Sequence, residues 1–162
     1  MTPLEAFDIV MLLEGGGKLI TDSGGLTKWG VSQRAYPNLD IANLTKEQAF
    51  GLFVKDCWNA VSAHSLPSPL NLLVADAAYN QGPARAIHML QKALGTVAIT
   101  GVIDRRTFAA IDKLPVAEVC ARFNTVRCMT YMGTRGFPKY GNGWLNRIGR
   151  LMMELTKWKT LI

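Results

Sequence analysis

The ten residues from Leu70 to Tyr79 carry only two strongly polar side chains, Asn71 and Asp76. A helix that is apolar nearly all round has no face to offer water, so it belongs in the middle of a domain with other elements wrapped around it. The chain of 162 residues, 49% of them hydrophobic, is long enough to build such a wrapping and falls within the range of one domain. Asp76 is the awkward member. Ionised and unpaired it would cost several kcal/mol, so it reads as a buried acid held by a structural hydrogen bond or as a participant in an active site, the first being favoured.

The elements around that helix are marked by their ends. Thr2, Pro3 and Glu5 form a capping threonine, a proline at the first helical position and a capping-box acid, and the apolar residues Leu4, Phe7, Val10, Met11 and Leu13 follow to Glu14. Three glycines, Gly15 to Gly17, stop the helix there. Residues 18 to 21 and 26 to 31 are expected to pair as a short hairpin across Asp22, Ser23, Gly24 and Gly25. Thr45 and Gln48 repeat the capping box and open a helix ending near Trp58 to Ala60. Ser68 and Pro69 start the central helix, and Asn80 to Pro83 break it and launch another to about Leu94. Asp104 caps a short helix through Ile111, Pro115 begins one to about Met132, and a Gly, Pro and Tyr run from Gly133 to Gly143 is expected to be a loop before a last helix to Lys159. The class is mainly α, with about seven helices and one small β-hairpin after the first.

Composition narrows the partners. The net charge of +6 invites anionic partners such as nucleic acid, a membrane surface or a wall polymer, but no nucleic-acid-binding motif stands out. The densest basic groups, Arg105 with Arg106 and Arg147 with Arg150, Lys157 and Lys159, read as solvated helix faces. No run approaches the ~20 apolar residues that span a bilayer, and the start of the chain carries acids where a secretory signal carries Lys or Arg. A protein free of membrane insertion, cytoplasmic at synthesis and monomeric is the expectation. Cys57, Cys120 and Cys128 lack zinc-type spacing and read as reduced core residues, so neither metal nor cofactor is expected.

The residues with chemistry to offer cluster early. Glu14 closes an apolar run, Met11, Leu12 and Leu13, and partial burial is what keeps a carboxylic acid protonated for general-acid work. Asp22, in a turn open to solvent, would stay ionised, and Thr27 on the returning strand could hold a water beside it. An acid with a second polar group nearby is the equipment for cleaving a sugar acetal. Taken singly, Glu14 as a helix-end acid and residues 22 to 25 as an ordinary turn are the favoured account of the same letters. Trp29 and Tyr36 could stack on sugar rings, Trp29 the better placed, and Asn80 could bond an N-acetyl group or simply end its helix. Trp58 and Trp144 read as core residues, and His64 and His88 lack partners at ligand spacing.

Several segments in order carry a resemblance. Glu14-Gly15-Gly16, then Asp22-Ser23-Gly24-Gly25-Leu26-Thr27-Lys28-Trp29-Gly30-Val31-Ser32, resemble the signature of glycoside hydrolase family 108, the N-acetylmuramidases of phages and bacteria. Leu44 to Ala49 with Asp56-Cys57-Trp58 is similar to the family's next helix. Asp76 to Gly82 with Leu90 to Gly95, and Gly101 to Ala110, resemble its small peptidoglycan-binding region, and Phe137 to Ile148 resembles its end. The Glu, Asp, Thr order is also similar to the triad of another group of phage lysozymes.

The resemblance implies a lysozyme-like helical fold over 1–162, with a catalytic part in 1–95 and a peptidoglycan-binding-like part in 70–162 packed on it. It implies cleavage of the β-1,4 bond between N-acetylmuramic acid and N-acetylglucosamine, with Glu14 as the acid and Asp22 and Thr27 as its partners. Bacterial peptidoglycan is then the partner, and the setting that of a phage endolysin released to the wall by a holin, though a role in export through the wall fits the same residues. Two other readings stay open: a lytic transglycosylase, and a wall-binding module without catalysis.

Overall fold

A computed structural model describes residues 1–22 and 25–160, apart from the side chains of Asp22 and of residues 158 to 160. Helix α1 (Pro3–Glu14) opens with the reciprocal Thr2 and Glu5 capping box and closes on Gly15, whose φ of 82° is the left-handed conformation that glycine adopts without penalty. A small antiparallel sheet follows, β1 (Ile20–Asp22), β2 (Gly25–Lys28) and β3 (Val31–Ser32) in that order. Thr27 stands at the middle of it, paired with Ile20 on one side and Ser32 on the other.

Helix α2 (Lys46–Phe53), capped by Thr45 and Gln48, runs on into a π-helical stretch, Val54–Asn59, that buries Cys57 and Trp58. The remaining helices are α3 (Leu70–Gln81), α4 (Pro83–Leu94), α5 (Arg105–Ile111), α6 (Val116–Met132) and α7 (Phe137–Thr160). Every residue of α3 from Leu70 to Ala78 is buried, and α1, α4, α6 and the π-helical stretch pack around it. The apolar helix is therefore the axis of the molecule. Asp104 caps α5 by accepting from the N–H groups of Arg106 and Thr107. Among the described residues no helix is long and apolar enough to cross a membrane.

Two elements depart from the sequence expectation. The hairpin gains a third strand, because the chain turns again at Trp29 and Gly30, both with positive φ. The last helix begins at Phe137, inside the run from Gly133 to Gly143 that reads as a loop. Pro138 lies in its first turn, where a missing N–H leaves nothing unpaired. The glycines that read as a loop make room for rings instead, since a Cβ on Gly141 would stand 2.7 Å from the ring of Phe137. Trp144 is half-buried and not a core residue, stacked on Tyr131 at 5.0 Å between ring centres.

Candidate active site

Glu14 is the last residue of α1, where the free carbonyls and the negative end of the helix dipole make a further negative charge unwelcome. Two arginines of α7 answer that. Arg150 donates to the Leu12 carbonyl at 3.3 Å, and Arg147 Nη1 binds the Glu14 carboxylate. The Glu14 side chain keeps 28% of its surface exposed, so a guanidinium stands where the sequence led us to expect an apolar surround.

From Glu14 the chain passes over Gly15 and Gly16, both with positive φ and with open space where a Cβ would stand. Glu14 lines a cleft of about 160 Å³ together with Gly15, Gly16, Lys18, Ile20, Thr27 and Gly30. Glu14 and Thr27, thirteen positions apart, thus share one cleft. Thr27 Oγ1 is buried and has no hydrogen-bond partner among the described residues, a position that a water or a ligand hydroxyl satisfies. Asp22 closes β1 opposite Gly25, and its side chain lies outside the described residues.

Trp29 sits across the same glycines. A second cleft of about 430 Å³ is lined by Asp8, Met11, Leu12, Gly15, Gly16, Trp29 and Lys46, so Gly15 and Gly16 border both. Trp29 adopts φ 52°, a costly conformation for a large side chain, and is fixed there by its neighbours. Its indole occupies the space beside Gly17, where a Cβ would come within 2.3 Å of the ring. The Tyr79 hydroxyl of α3 reaches up to the Trp29 carbonyl at 3.4 Å and lies where a Cβ on Gly30 would be. Burial, and the Glu14 carboxylate next, push the Tyr79 phenol well above its ordinary pKa.

The other two candidate contacts have protein partners. Tyr36 donates its hydroxyl to Asp56 at 2.8 Å and packs its ring on the core; burial and that bond raise its pKa to about 12. Asn80 is exposed at the end of α3 and accepts from the Tyr131 hydroxyl. Neither lines the cleft that holds Glu14 and Thr27.

Next to Glu14 lies a charge cluster around Asp76, the buried acid that the sequence flags, whose arginine partners sequence reading missed. Asp76, 0% exposed, accepts from Arg147 Nη2 at 2.6 Å and forms an ion pair with Arg127 Nη1 at 2.7 Å. Burial alone would push its carboxyl up; the two guanidiniums overcome that and hold it below the ordinary carboxylate value. The Arg147 side chain is only 9% exposed, so it is not on a solvated face. Burial would lower its pKa, but Asp76 and then Glu14 raise it well above the arginine value. One signal pointed here: an acid within an apolar helix needs a buried cation, and α6 and α7 carry the arginines.

No curated protein matches the chain. The solved structure of SagA from Brucella abortus is similar over 96% of this chain and 94% of that one, with a TM-score of 0.83 and 29% identity. Residues 7–82, which contain Glu14, Thr27, Trp29 and Asp76, match the family model described as Glycosyl hydrolase 108, a match that supports a glycoside hydrolase.

Proposed function

We propose that the protein is an N-acetylmuramidase, cutting the β-1,4 bond between N-acetylmuramic acid and N-acetylglucosamine with Glu14 as general acid. The observation that carries the reading is the shared cleft: Glu14 and Thr27 both line it, and the Thr27 hydroxyl is buried without a hydrogen-bond partner among the described residues, inside the segment matching a glycosyl hydrolase family. Glu14 gives a proton to the bridging oxygen, the bond from that oxygen to the anomeric carbon breaks, and a water oriented by Thr27 adds to the carbon and loses a proton to the Asp22 carboxylate, from which a proton returns through solvent to Glu14. Each cut bond consumes one water and leaves one new reducing end. Trp29, beside the two glycines, offers an aromatic surface to a sugar flanking the scissile bond. Tyr36 and Asn80 are weaker contacts, since each already serves a protein partner.

The residues from 70 to 162 act as a wall-binding part, aided by the net charge of +6 toward an anionic polymer. The setting proposed is an endolysin made in the cytoplasm and released to the wall through a holin. The test is a digest of purified peptidoglycan read by mass spectrometry. The parent chain releases hydrated muropeptides, and Glu14→Gln folds but releases none. Products lighter by one water would assign a lytic transglycosylase, and no products at all a binding module.

A further inference from the structure

Arg147 divides its guanidinium between two acids on two helices. Nε lies 3.1 Å and 3.3 Å from the Asp76 oxygens and Nη2 2.6 Å from Oδ1, which fixes the planar fork on α3. Nη1 is left over, and it holds Glu14 of α1. Asp76 is also paired with Arg127 Nη1 at 2.7 Å, and Arg127, 0% exposed, donates to Gln81 Oε1 at 3.1 Å and to the Tyr131 hydroxyl at 3.3 Å. Two carboxylates and two guanidiniums balance in charge, so the cluster sits beside the cleft without a net buried charge.

We propose that Arg147 is a positioning residue for Glu14: anchored on Asp76 through Nε and Nη2, it sets the place of the Glu14 carboxylate at the cleft wall with Nη1. This rests on the muramidase reading of Glu14. The anchoring explains how the contact can serve catalysis. When Glu14 exchanges the guanidinium for a proton and the glycosidic oxygen, Arg147 keeps its bonds to Asp76 and stays in place to receive the carboxylate after the proton has gone. A lysine in its place would carry the charge but not the fork, and one ammonium cannot reproduce this division between two acids.

The experiment compares the full-length parent, Glu14→Gln, Arg147→Lys and Arg147→Met on solubilised peptidoglycan, with kcat, KM and thermal unfolding measured for each. Arg147→Lys leaves a cation for Asp76 and carries the test whether or not Arg147→Met folds. The expected result is a folded Arg147→Lys protein with KM within about twofold of the parent and kcat lowered roughly tenfold to a hundredfold, the scale of a misplaced reacting group. Where Arg147→Met folds, it retains less activity than Arg147→Lys. A folded Arg147→Lys protein with the parent kcat, or one altered in KM alone, overturns the positioning role. Activity in Glu14→Gln overturns the reading beneath it, and the two failures are separate observations.

Discussion

Asp76 is the residue on which the rest of the site stands. A fully buried carboxylate is tolerable because Arg127 and Arg147 reach it from two further helices, and their removal would leave a charge that neither water nor protein compensates. The reverse change is equally disruptive. Asp76→Asn strands Arg127, which has no exposed surface, and is expected to cost about 3–5 kcal/mol at neutral pH, measured by denaturant unfolding. The pH dependence has a definite sign. The folded-state pKa lies below the unfolded value of about 3.9, so the contribution of Asp76 is full above that pH and fades as pH falls through the lower folded value. The stability gap between parent and Asp76→Asn should therefore be constant from about pH 5 to neutrality and shrink below about pH 4. A gap that stayed constant into acid would show that the carboxylate charge is not what is lost. At the cleft itself, Thr27→Val removes the unpartnered hydroxyl while keeping the β-branched shape that suits β2. It is expected to leave thermal unfolding within a few degrees and to lower kcat on peptidoglycan by about tenfold or more.

At the scale of elements, the turn between β2 and β3 shows how local sequence and distant packing divide the work. Trp29 and Gly30 both take positive φ, and nothing in the letters announces it, because a tryptophan rarely pays the cost of that conformation. The reason is on α3, where the Tyr79 hydroxyl fills the space that a side chain at position 30 would need. Gly30→Ala is expected to lower stability by about 1–3 kcal/mol, partly from φ of 68° and partly from the clash, and Tyr79→Phe in the same chain should recover part of it by removing the nearest atom. Thermal unfolding of the single and double variants decides; no recovery would place the cost in the backbone and in the ring carbon that stays 2.7 Å from the new Cβ. The same division explains which elements were legible. The α1 capping box, the Thr45 cap and the Asp104 cap are local chemistry and appear as read. The start of α7 was hidden because Gly136 and Gly141 resemble a loop in sequence, whereas they clear space for Trp144 and Phe137.

Over the whole molecule, the central helix was legible because burial on every face leaves a run of apolar letters, while the pairing of Glu14 with Arg147 was not, because it joins residues 133 positions apart. Periodicity tells which face of a helix is buried and says nothing about which distant side chain meets it. That pairing makes α7 part of the site. Among the described residues the buried hydrophobic side chains of the helix are Ile148, Leu151 and Leu155, so it depends on few apolar anchors where α3 is enclosed. Cooperative units with fewer buried contacts open at lower free energy, so amide exchange is expected to be slowest in α3 and faster in α7. Leu151, with no exposed surface, is the anchor one turn from Arg147. Leu151→Ala should cost about 2–5 kcal/mol and speed exchange in α7 more than in α3. If α7 delivers Arg147 to Glu14, kcat should fall along with α7 protection even below the unfolding temperature, where the protein remains folded by circular dichroism. Loss of α7 protection with an unchanged kcat would separate the helix from the catalytic acid and leave Arg147 a purely structural ion pair.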